Sequence, residues 1–119
     1  MHAGSSTRRR RRLWRFAGAE FDEASWALRI GGAAVPLEGK PLEVLHELLL
    51  RAGEVVTKEE ILDAVWPGVT VVEGSLPTAI SKLRKALGER QDNVIETVPR
   101  IGYRLTCQVR IEGIDSPLR

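Results

Sequence analysis

The 119-residue sequence is poor in the side chains that build disulfide-linked and metal-stabilised folds. It contains one cysteine, Cys107, and two histidines, His2 and His46. One cysteine cannot close a disulfide within the chain, and structural zinc sites need several Cys or His ligands at close spacing. We therefore expect no disulfide, no metal site and no cofactor. Cys107 itself is expected to be an inert or partly buried thiol, with a redox switch as the alternative.

Long apolar runs are also missing. No stretch approaches the roughly 18 apolar residues of a membrane span, and the arginine-rich start is not followed by the apolar segment of a signal peptide. We expect a cytoplasmic chain without a membrane segment. Aromatic residues make up only 5% of the sequence, so aliphatic side chains must dominate the core. The hydrophobic fraction of 43% is close to that of ordinary globular proteins, which predicts one folded domain.

The net charge of +2 conceals a strong segregation of charge along the chain. Residues 1–19 hold six arginines and no acid, residues 20–73 hold four bases and eleven acids, and residues 74–110 hold seven bases and three acids. Opposite charges on different parts of one small domain favour an oriented partner, most simply a polyanion that faces the basic part. An ordinary solvated surface is the alternative.

Composition and periodicity divide the chain into an arm, a domain and a tail. Residues 1–12 are expected to form a disordered basic arm, residues 13–110 the folded domain, and residues 111–119 a C-terminal tail. The arm holds five consecutive arginines: Arg8, Arg9, Arg10, Arg11 and Arg12. After the arm, alternating apolar residues predict three or four short antiparallel strands, with a hairpin turn at Gly31-Gly32.

Helical spacing then predicts three helices. The first begins near Pro41 and ends at Gly53, and the second begins with a capping box at Thr57 and Glu60 and ends at Pro67-Gly68. The second helix is expected to bury its apolar residues Ile61, Leu62, Val65 and Trp66. The third is expected to begin at a Ser75 cap, to tolerate Pro77 in its first turn and to end at Gly88. Its apolar stripe consists of Leu76, Ile80, Leu83 and Leu87.

Two β-rich runs close the domain. Residues 94–98 and 103–109 flank the turn-forming segment 99–102, which predicts a hairpin.

The third helix has the composition of a DNA-recognition element. Opposite its apolar stripe it presents Thr78, Ser81, Lys82 and Lys85, with Arg84 on a flank. No acid occurs between Gly74 and Gly88. A basic helix preceded by another helix and a tight loop is typical of a helix-turn-helix, whose second helix enters a major groove about 12 Å wide.

Five segments closely resemble the winged helix-turn-helix DNA-binding domain of the OmpR/PhoB type, in the variant found in ToxR- and CadC-like regulators. In chain order these segments are VPL (35–37), GEVVTKEEIL (53–62), AVWP (64–67), ISKLRKALG (80–88) and IETVPRIGYRL (95–105). The resemblance runs from about Phe16 to Leu105. It implies an α+β fold with an N-terminal four-stranded antiparallel sheet, a three-helix core and a C-terminal hairpin wing.

The resemblance also implies a role for individual residues. It places Thr78, Ser81 and Lys82 at base edges, Ser75, Arg84 and Lys85 at phosphates, and Arg100 in the minor groove at the tip of the wing. The chemistry fits, since lysine can donate to guanine, a threonine methyl can meet thymine, and arginine is favoured in a narrow minor groove. The Tyr103 ring is expected in the wing, with its hydroxyl reaching a phosphate. Gly74 and Pro77 replace polar residues of many relatives, so the base-specific contacts are expected to be sparse.

These observations predict a transcription regulator that binds double-stranded DNA in a sequence-specific manner and has no enzymatic activity. The recognition helix would span about 75–87 and the wing about 95–105. A homodimer on repeated half-sites and a contact with RNA polymerase are implied by the resemblance alone. The alternative is a winged-helix interaction module whose basic face binds an acidic protein.

Two further questions stay open at the level of sequence. The arginine run has three candidate uses: a DNA arm, a handle for RNA or acidic lipid, or a solubility tail. The way in which the regulator is controlled is also open. The chain is expected to be either a fragment of a longer regulator or a stand-alone regulator whose activity depends on its abundance or on a partner protein.

Overall fold

Two antiparallel sheets enclose three helices in the computed structural model, which describes residues 12–37, 39–68, 70–88 and 94–113. The strands are β1 (Arg12–Phe16), β2 (Ala19–Asp22), β3 (Ala27–Ile30), β4 (Ala33–Ala34), β5 (Val55–Thr57), β6 (Ile95–Val98), β7 (Gly102–Leu105) and β8 (Val109–Gly113). The helices are α1 (Lys40–Leu50), α2 (Lys58–Val65) and α3 (Ser75–Leu87). This is the α+β winged-helix arrangement that the sequence predicts.

The larger sheet has five strands in the order β4-β3-β2-β1-β8. Its strands alternate between the core and the solvent, so Trp14, Phe16, Phe21 and Leu28 are all buried on one face. The predicted turn at Gly31-Gly32 is confirmed: it joins β3 to β4, and both glycines have positive φ angles, of 60° and 86°.

The fifth strand, β8, corrects two expectations. Residues 103–109 were predicted to form one wing strand and residues 111–119 a tail, but the wing strand ends at Leu105 and β8 pairs with β1 from Phe16↔Val109 to Arg12↔Gly113. The folded domain therefore extends at least to Gly113, and the N-terminal sheet has five strands instead of four. No glycine or proline interrupts residues 103–112, so no local signal marks the break between the two strands.

Arg12 corrects the boundary of the predicted arm, because it is the first residue of β1. Its backbone N–H donates to Glu23 Oε1 at 2.9 Å, and its side chain forms an ion pair with the same carboxylate. Arg8–Arg11 lie outside the described residues.

Glu23, in the turn between β2 and β3, joins the larger sheet to α1. Its Oε2 atom accepts hydrogen bonds from Trp14 Nε1 and from His46 Nε2, each at 2.9 Å. The side chain is only 10% exposed. That burial by itself would raise the pKa, but the hydrogen bonds from Arg12, Trp14 and His46 and the charge of Arg12 outweigh it and hold the pKa of Glu23 at about 2.

The first two helices follow the sequence prediction closely. Pro41 lies in the first turn of α1. At α2, Thr57 Oγ1 accepts from the Glu60 N–H at 3.1 Å while Thr57 N–H donates to Glu60 Oε1 at 2.8 Å, which confirms the capping box. Ile61 and Val65 are buried as expected, whereas Leu62 and Trp66 are only half-buried and pack at the margin of the core.

The third helix begins differently from the prediction. Gly74, not Ser75, is the N-cap, and its φ of 101° lies in the left-handed region that glycine adopts without steric cost. Its carbonyl accepts the Thr78 N–H at 2.9 Å, and Ser75 is the first helical residue. Pro77 is accommodated in the first turn, where an N–H would have no helical partner. Gly88 ends the helix as predicted.

The smaller sheet has the order β5-β7-β6 and contains the predicted wing hairpin, β6 and β7. Gly102, at the start of β7, lies opposite Thr57 of β5. A Cβ atom at Gly102 would be only 2.0 Å from the Val56 carbonyl oxygen, so only glycine permits this approach. The Lys58 N–H donates to the Ile101 carbonyl at 3.0 Å, which ties the turn of the wing to the start of α2.

One hydrophobic cluster joins both sheets and all three helices. Its members are mostly aliphatic, as the low aromatic content predicts. Within the described residues, no helix is both long enough and apolar enough to cross a membrane.

Candidate nucleic-acid interface

The outer face of α3 is polar, basic and exposed, as its sequence predicts. Leu76, Ile80, Leu83 and Leu87 are at most 5% exposed and fix the inner face. The exposed residues of α3 are Pro77, Thr78, Ser81, Lys82, Arg84 and Lys85, and all but Pro77 are polar or basic. Since buried and exposed positions alternate with the helical period, the apolar stripe determines which side chains a partner meets.

Lys82 and Lys85 keep their charges available. In the part of the chain that the structure describes, neither lysine takes part in an ion pair or a side-chain hydrogen bond, whereas Arg12, Arg15, Lys40, Arg51 and Arg104 all have carboxylate partners. The outer face of α3 is therefore a source of uncompensated positive charge.

The wing tip presents Arg100 to the solvent. The Ile101 N–H donates to the Val98 carbonyl at 3.0 Å, which closes a four-residue turn with Pro99 and Arg100 at its centre. Arg100 has a φ of 69°, and proline cannot adopt a positive φ, so the turn is of type II. That turn type favours glycine or asparagine where this chain has arginine.

Arg84 lies on the flank of α3 and points to the wing. Its Nη2 atom donates to the Ile95 carbonyl at 2.7 Å and to Thr97 Oγ1 at 2.8 Å, and its Nε atom donates to the Ile95 carbonyl at 3.3 Å. The resemblance implies a phosphate contact for Arg84, and the sequence gives no sign of this bond because its partner lies eleven residues further along the chain.

The two remaining predicted contacts, Ser75 and Tyr103, are less accessible. Ser75 is half-buried in the first turn of α3. Tyr103 lies on β7 of the wing, between Val56 and Thr97, as expected, and its ring is only 6% exposed and contributes to the core. Its phosphate contact stays a prediction for the hydroxyl alone.

A groove of about 450 Å³ runs beside the start of α3 and adds a basic residue that sequence reasoning missed. Lys40, at the start of α1, lines this groove together with Thr78, Lys82 and the acid Glu73, and it forms an ion pair with Glu43 at 3.6 Å. Its Nζ donates to the Val65 carbonyl at 2.7 Å and lies 5.8 Å from the centre of the Trp66 ring. Lys40 is remote from α3 in sequence and lies in the acidic segment, so no pattern pointed to it.

Neither the charge of Arg104 nor the thiol of Cys107 is available to a partner. Arg104 donates through Nε to Glu96 Oε1 at 3.0 Å, across the β6–β7 ladder, so its charge is compensated within the wing. Cys107 is half-buried, and burial raises the pKa of its thiol, which keeps it protonated and unreactive at neutral pH. Among the described residues, no group of His, Cys, Asp and Glu is placed to hold a metal ion.

Comparison with known proteins identifies the arrangement. A family model described as "Transcriptional regulatory protein, C terminal" matches residues 32–105, from the β3–β4 turn to the last residue of β7. The chain belongs to this family. Its members include the DNA-binding domains of OmpR/PhoB-type regulators, as the sequence resemblance implies.

Curated relatives are identical to the chain at about a third of the aligned positions. The phosphate regulon regulator PhoB of Pseudomonas aeruginosa is 36% identical over 82 residues, which is 62% of this chain and 36% of PhoB. The transcriptional activator CadC of Escherichia coli is 32% identical over 81 residues, which is 66% of this chain and 16% of CadC. The chain therefore matches only a minor part of these longer regulators.

Solved structures of the family have the same fold. The DNA-binding domain of Escherichia coli CadC superposes with a TM-score of 0.73 and 26% identity, covering 86% of this chain and 98% of that domain. The DNA-binding domain of Klebsiella pneumoniae RstA, solved in complex with the RstA box, gives a TM-score of 0.68 and 28% identity, covering 79% and 96%.

Proposed function

We propose that this chain binds double-stranded DNA in a sequence-specific manner to regulate transcription, with α3 in the major groove and the wing in the adjacent minor groove. The observation that carries the proposal is the outer face of α3, where Lys82 and Lys85 are exposed and uncompensated on a helix without an acid. A helix of this width fits a major groove. The RstA domain bound to its box is a relative with this fold in contact with DNA.

Within this proposal, Thr78, Ser81 and Lys82 face base edges because they share the exposed face of α3. Lys85 and Ser75 contact phosphates at the two ends of the helix, and the Tyr103 hydroxyl reaches a phosphate from β7. Arg100 enters the minor groove, where the negative potential of a narrow A·T-rich segment attracts arginine. The base contacts supply the specificity and the phosphate contacts supply much of the affinity.

Two partner proposals accompany the DNA-binding proposal. Two copies of the domain would occupy neighbouring half-sites, as a homodimer formed on DNA. The loop before α3, where the Val72 side chain is 76% exposed, would contact RNA polymerase.

Selection from random double-stranded oligonucleotides tests the function. We expect the wild-type domain to enrich one motif in about 0.15 M salt. Lys82→Ala is expected to lose preference at positions in the major groove, by roughly 1–3 kcal/mol at a base pair that it contacts. Arg100→Ala is expected to lose preference for the flanking A·T pairs. Arg110→Ala is the matched control, since Arg110 is an exposed base on β8, outside α3 and the wing.

Two outcomes would contradict the proposal. If the wild type showed no preference among sequences and little affinity at this salt concentration, an acidic protein would be the better partner. If Lys82→Ala and Arg100→Ala enriched the same motif as the wild type with equal affinity, the assignment of the helix and the wing would be wrong.

A further inference from the structure

The bond between Arg84 and the wing has no part in the contacts proposed above. The guanidinium of Arg84 connects α3 to β6 through the Ile95 carbonyl and the Thr97 hydroxyl. These two residues alternate with Glu96, whose side chain pairs with Arg104 on the neighbouring strand. The strand that approaches the minor groove is thus joined by one side chain to the helix that enters the major groove.

The position of β6 explains why this bond matters. β6 is an edge strand of the smaller sheet, since the strand order is β5-β7-β6. An edge strand has backbone carbonyls without a neighbouring strand to bond them. Arg84 supplies that missing donor at Ile95. On its other side the hairpin is anchored through β7, which pairs with β5, and through the Lys58 N–H bond to the Ile101 carbonyl.

Arginine is the side chain best suited to such a connection. Its planar guanidinium offers several donors in a fixed arrangement, so one residue can bond a carbonyl and a hydroxyl at once and restrict their orientation. Lysine, which has a flexible stem and a single nitrogen, fixes geometry less well. Ile95 and Thr97 lie two residues apart on one strand, so the two bonds restrict both the distance and the direction of β6 relative to α3.

We infer that Arg84 is a positioning residue, not a phosphate contact: its bonds to Ile95 and Thr97 hold the wing at the angle that lets Arg100 enter the minor groove while α3 occupies the major groove. This inference rests on the proposed DNA binding. Arg84 therefore affects recognition through the wing. Its loss should weaken the specificity that Arg100 contributes and leave the specificity that Lys82 contributes unchanged.

The first test uses Thr97, because Thr97→Val removes the hydroxyl and leaves the charge of Arg84 in place. The measurement is the ratio of affinities for two duplexes that share the selected major-groove motif and differ only in an A·T-rich or G·C-rich segment under the wing. We expect Thr97→Val to lower this ratio about fivefold, the value of one hydrogen bond. Thr97→Ser keeps the hydroxyl and should preserve the wild-type ratio.

The second test separates positioning from phosphate contact by the dependence of affinity on salt. A residue that neutralises one phosphate contributes about 0.9 to the slope of log K against log salt. Arg84→Met should leave this slope unchanged and should lower the ratio of affinities for the A·T-rich and G·C-rich duplexes, called the flank ratio below. Lys85→Ala should reduce the magnitude of the slope by about 0.9. The double variant Arg84→Met/Thr97→Val should have a flank ratio no lower than that of Arg84→Met alone, because both changes break the same connection.

The results that would overturn the inference are specific. They are a drop in slope for Arg84→Met equal to that of Lys85→Ala, or a flank ratio that stays at the wild-type value in both Arg84→Met and Thr97→Val.

Failure of the proposed function would be visible separately, as a wild-type domain that selects no DNA motif. In that case ¹⁵N relaxation of residues 95–105 in the free protein still tests the connection. Arg84→Met and Thr97→Val should raise the mobility of the wing and Thr97→Ser should not, and equal mobility in all variants would overturn the positioning role.

Discussion

Arg100 combines an exposed charge with a backbone conformation that arginine adopts only at a cost. Its φ of 69° lies in the left-handed region, which costs a residue with a Cβ atom about 1–2 kcal/mol relative to glycine. The turn around it would form more easily with glycine. If Arg100 contacts DNA as proposed, its charge serves binding while its backbone conformation costs stability, so the two effects can be measured apart.

A pair of substitutions at Arg100 separates the two effects. Arg100→Gly should raise the free energy of unfolding by about 1 kcal/mol, because it relieves the strain, and should weaken DNA binding. Arg100→Ala removes the same charge but keeps the Cβ atom, so its stability should stay near that of the wild type while its DNA affinity falls equally. Urea denaturation and DNA titration of both variants provide the measurements. Equal stability of the two variants would show that the turn is unstrained.

The exposed residues of α3 could be predicted from the sequence because a helix has a fixed period. Once Leu76, Ile80, Leu83 and Leu87 are assigned to the core, the orientation of Thr78, Ser81 and Lys82 follows. The bond from Arg84 to Ile95 could not be predicted in this way. It spans eleven residues and depends on where the wing packs, which no local period determines.

Between elements, the larger sheet and α1 are joined by the carboxylate of Glu23, whose side chain is largely shielded from solvent. Its hydrogen bonds come from β1 and from His46 of α1, so the turn between β2 and β3 is attached to both. Because its pKa is about 2 in the folded protein and near 4.5 without those partners, the folded state binds this proton more weakly than the unfolded state. The stabilisation is complete above about pH 4.5 and is lost as the pH falls toward about 2.

Glu23→Gln should therefore destabilise the domain in a way that depends on pH. At pH 7 we expect a loss of about 1–2 kcal/mol in the free energy of unfolding, since hydrogen bonds to a charged group are replaced by bonds to a neutral one. The difference between variant and wild type should shrink between pH 4.5 and pH 2. Glu20→Gln is the control, because Glu20 lies on β2 with a more exposed side chain and pairs with Arg15. A loss that stays constant down to pH 2.5 would contradict the assigned pKa.

Elements with strong local signals were predicted with nearly correct bounds, and those defined by pairing were not. The capping box of α2 and the glycine turn between β3 and β4 depend on neighbouring residues and were found from the sequence. β8 exists as a separate strand because the open edge of β1 pairs with it, and a partner distant in sequence leaves no local signal. The same reason explains why Arg12 was assigned to the arm instead of to β1.

Across the described residues, some basic side chains pair with acids and others keep their charge. Arg12 and Arg104 pair with carboxylates. Arg84 bonds only to neutral groups of the wing and is exposed, and Lys82, Lys85 and Arg100 are exposed without an ion pair. The arginines at positions 8–11 are the largest remaining cluster of positive charge in the sequence. If they form a DNA arm, they contribute more phosphate contacts than α3 does.

Deletion of residues 1–11 tests the arm and keeps Arg12, the first residue of β1. We expect the slope of log K against log salt to fall by about 0.9 for each arginine that contacts a phosphate, with the selected DNA motif unchanged. Replacement of the four arginines 8–11 by serine, at full length, controls for the loss of chain. An unchanged slope would exclude a DNA arm and favour a role in binding RNA or acidic lipid, or in solubility.

The pairing of β1 with β8 places Arg12 directly opposite Gly113. The first residue of β1 and the last residue of β8 are therefore neighbours, and a linker of a few residues is long enough to join them. The chain can in principle be closed into a ring and reopened at the exposed Gly31-Gly32 turn. In such a permuted protein the order of the elements along the chain would change, whereas α3, the wing and the Arg84 connection between them would stay contiguous.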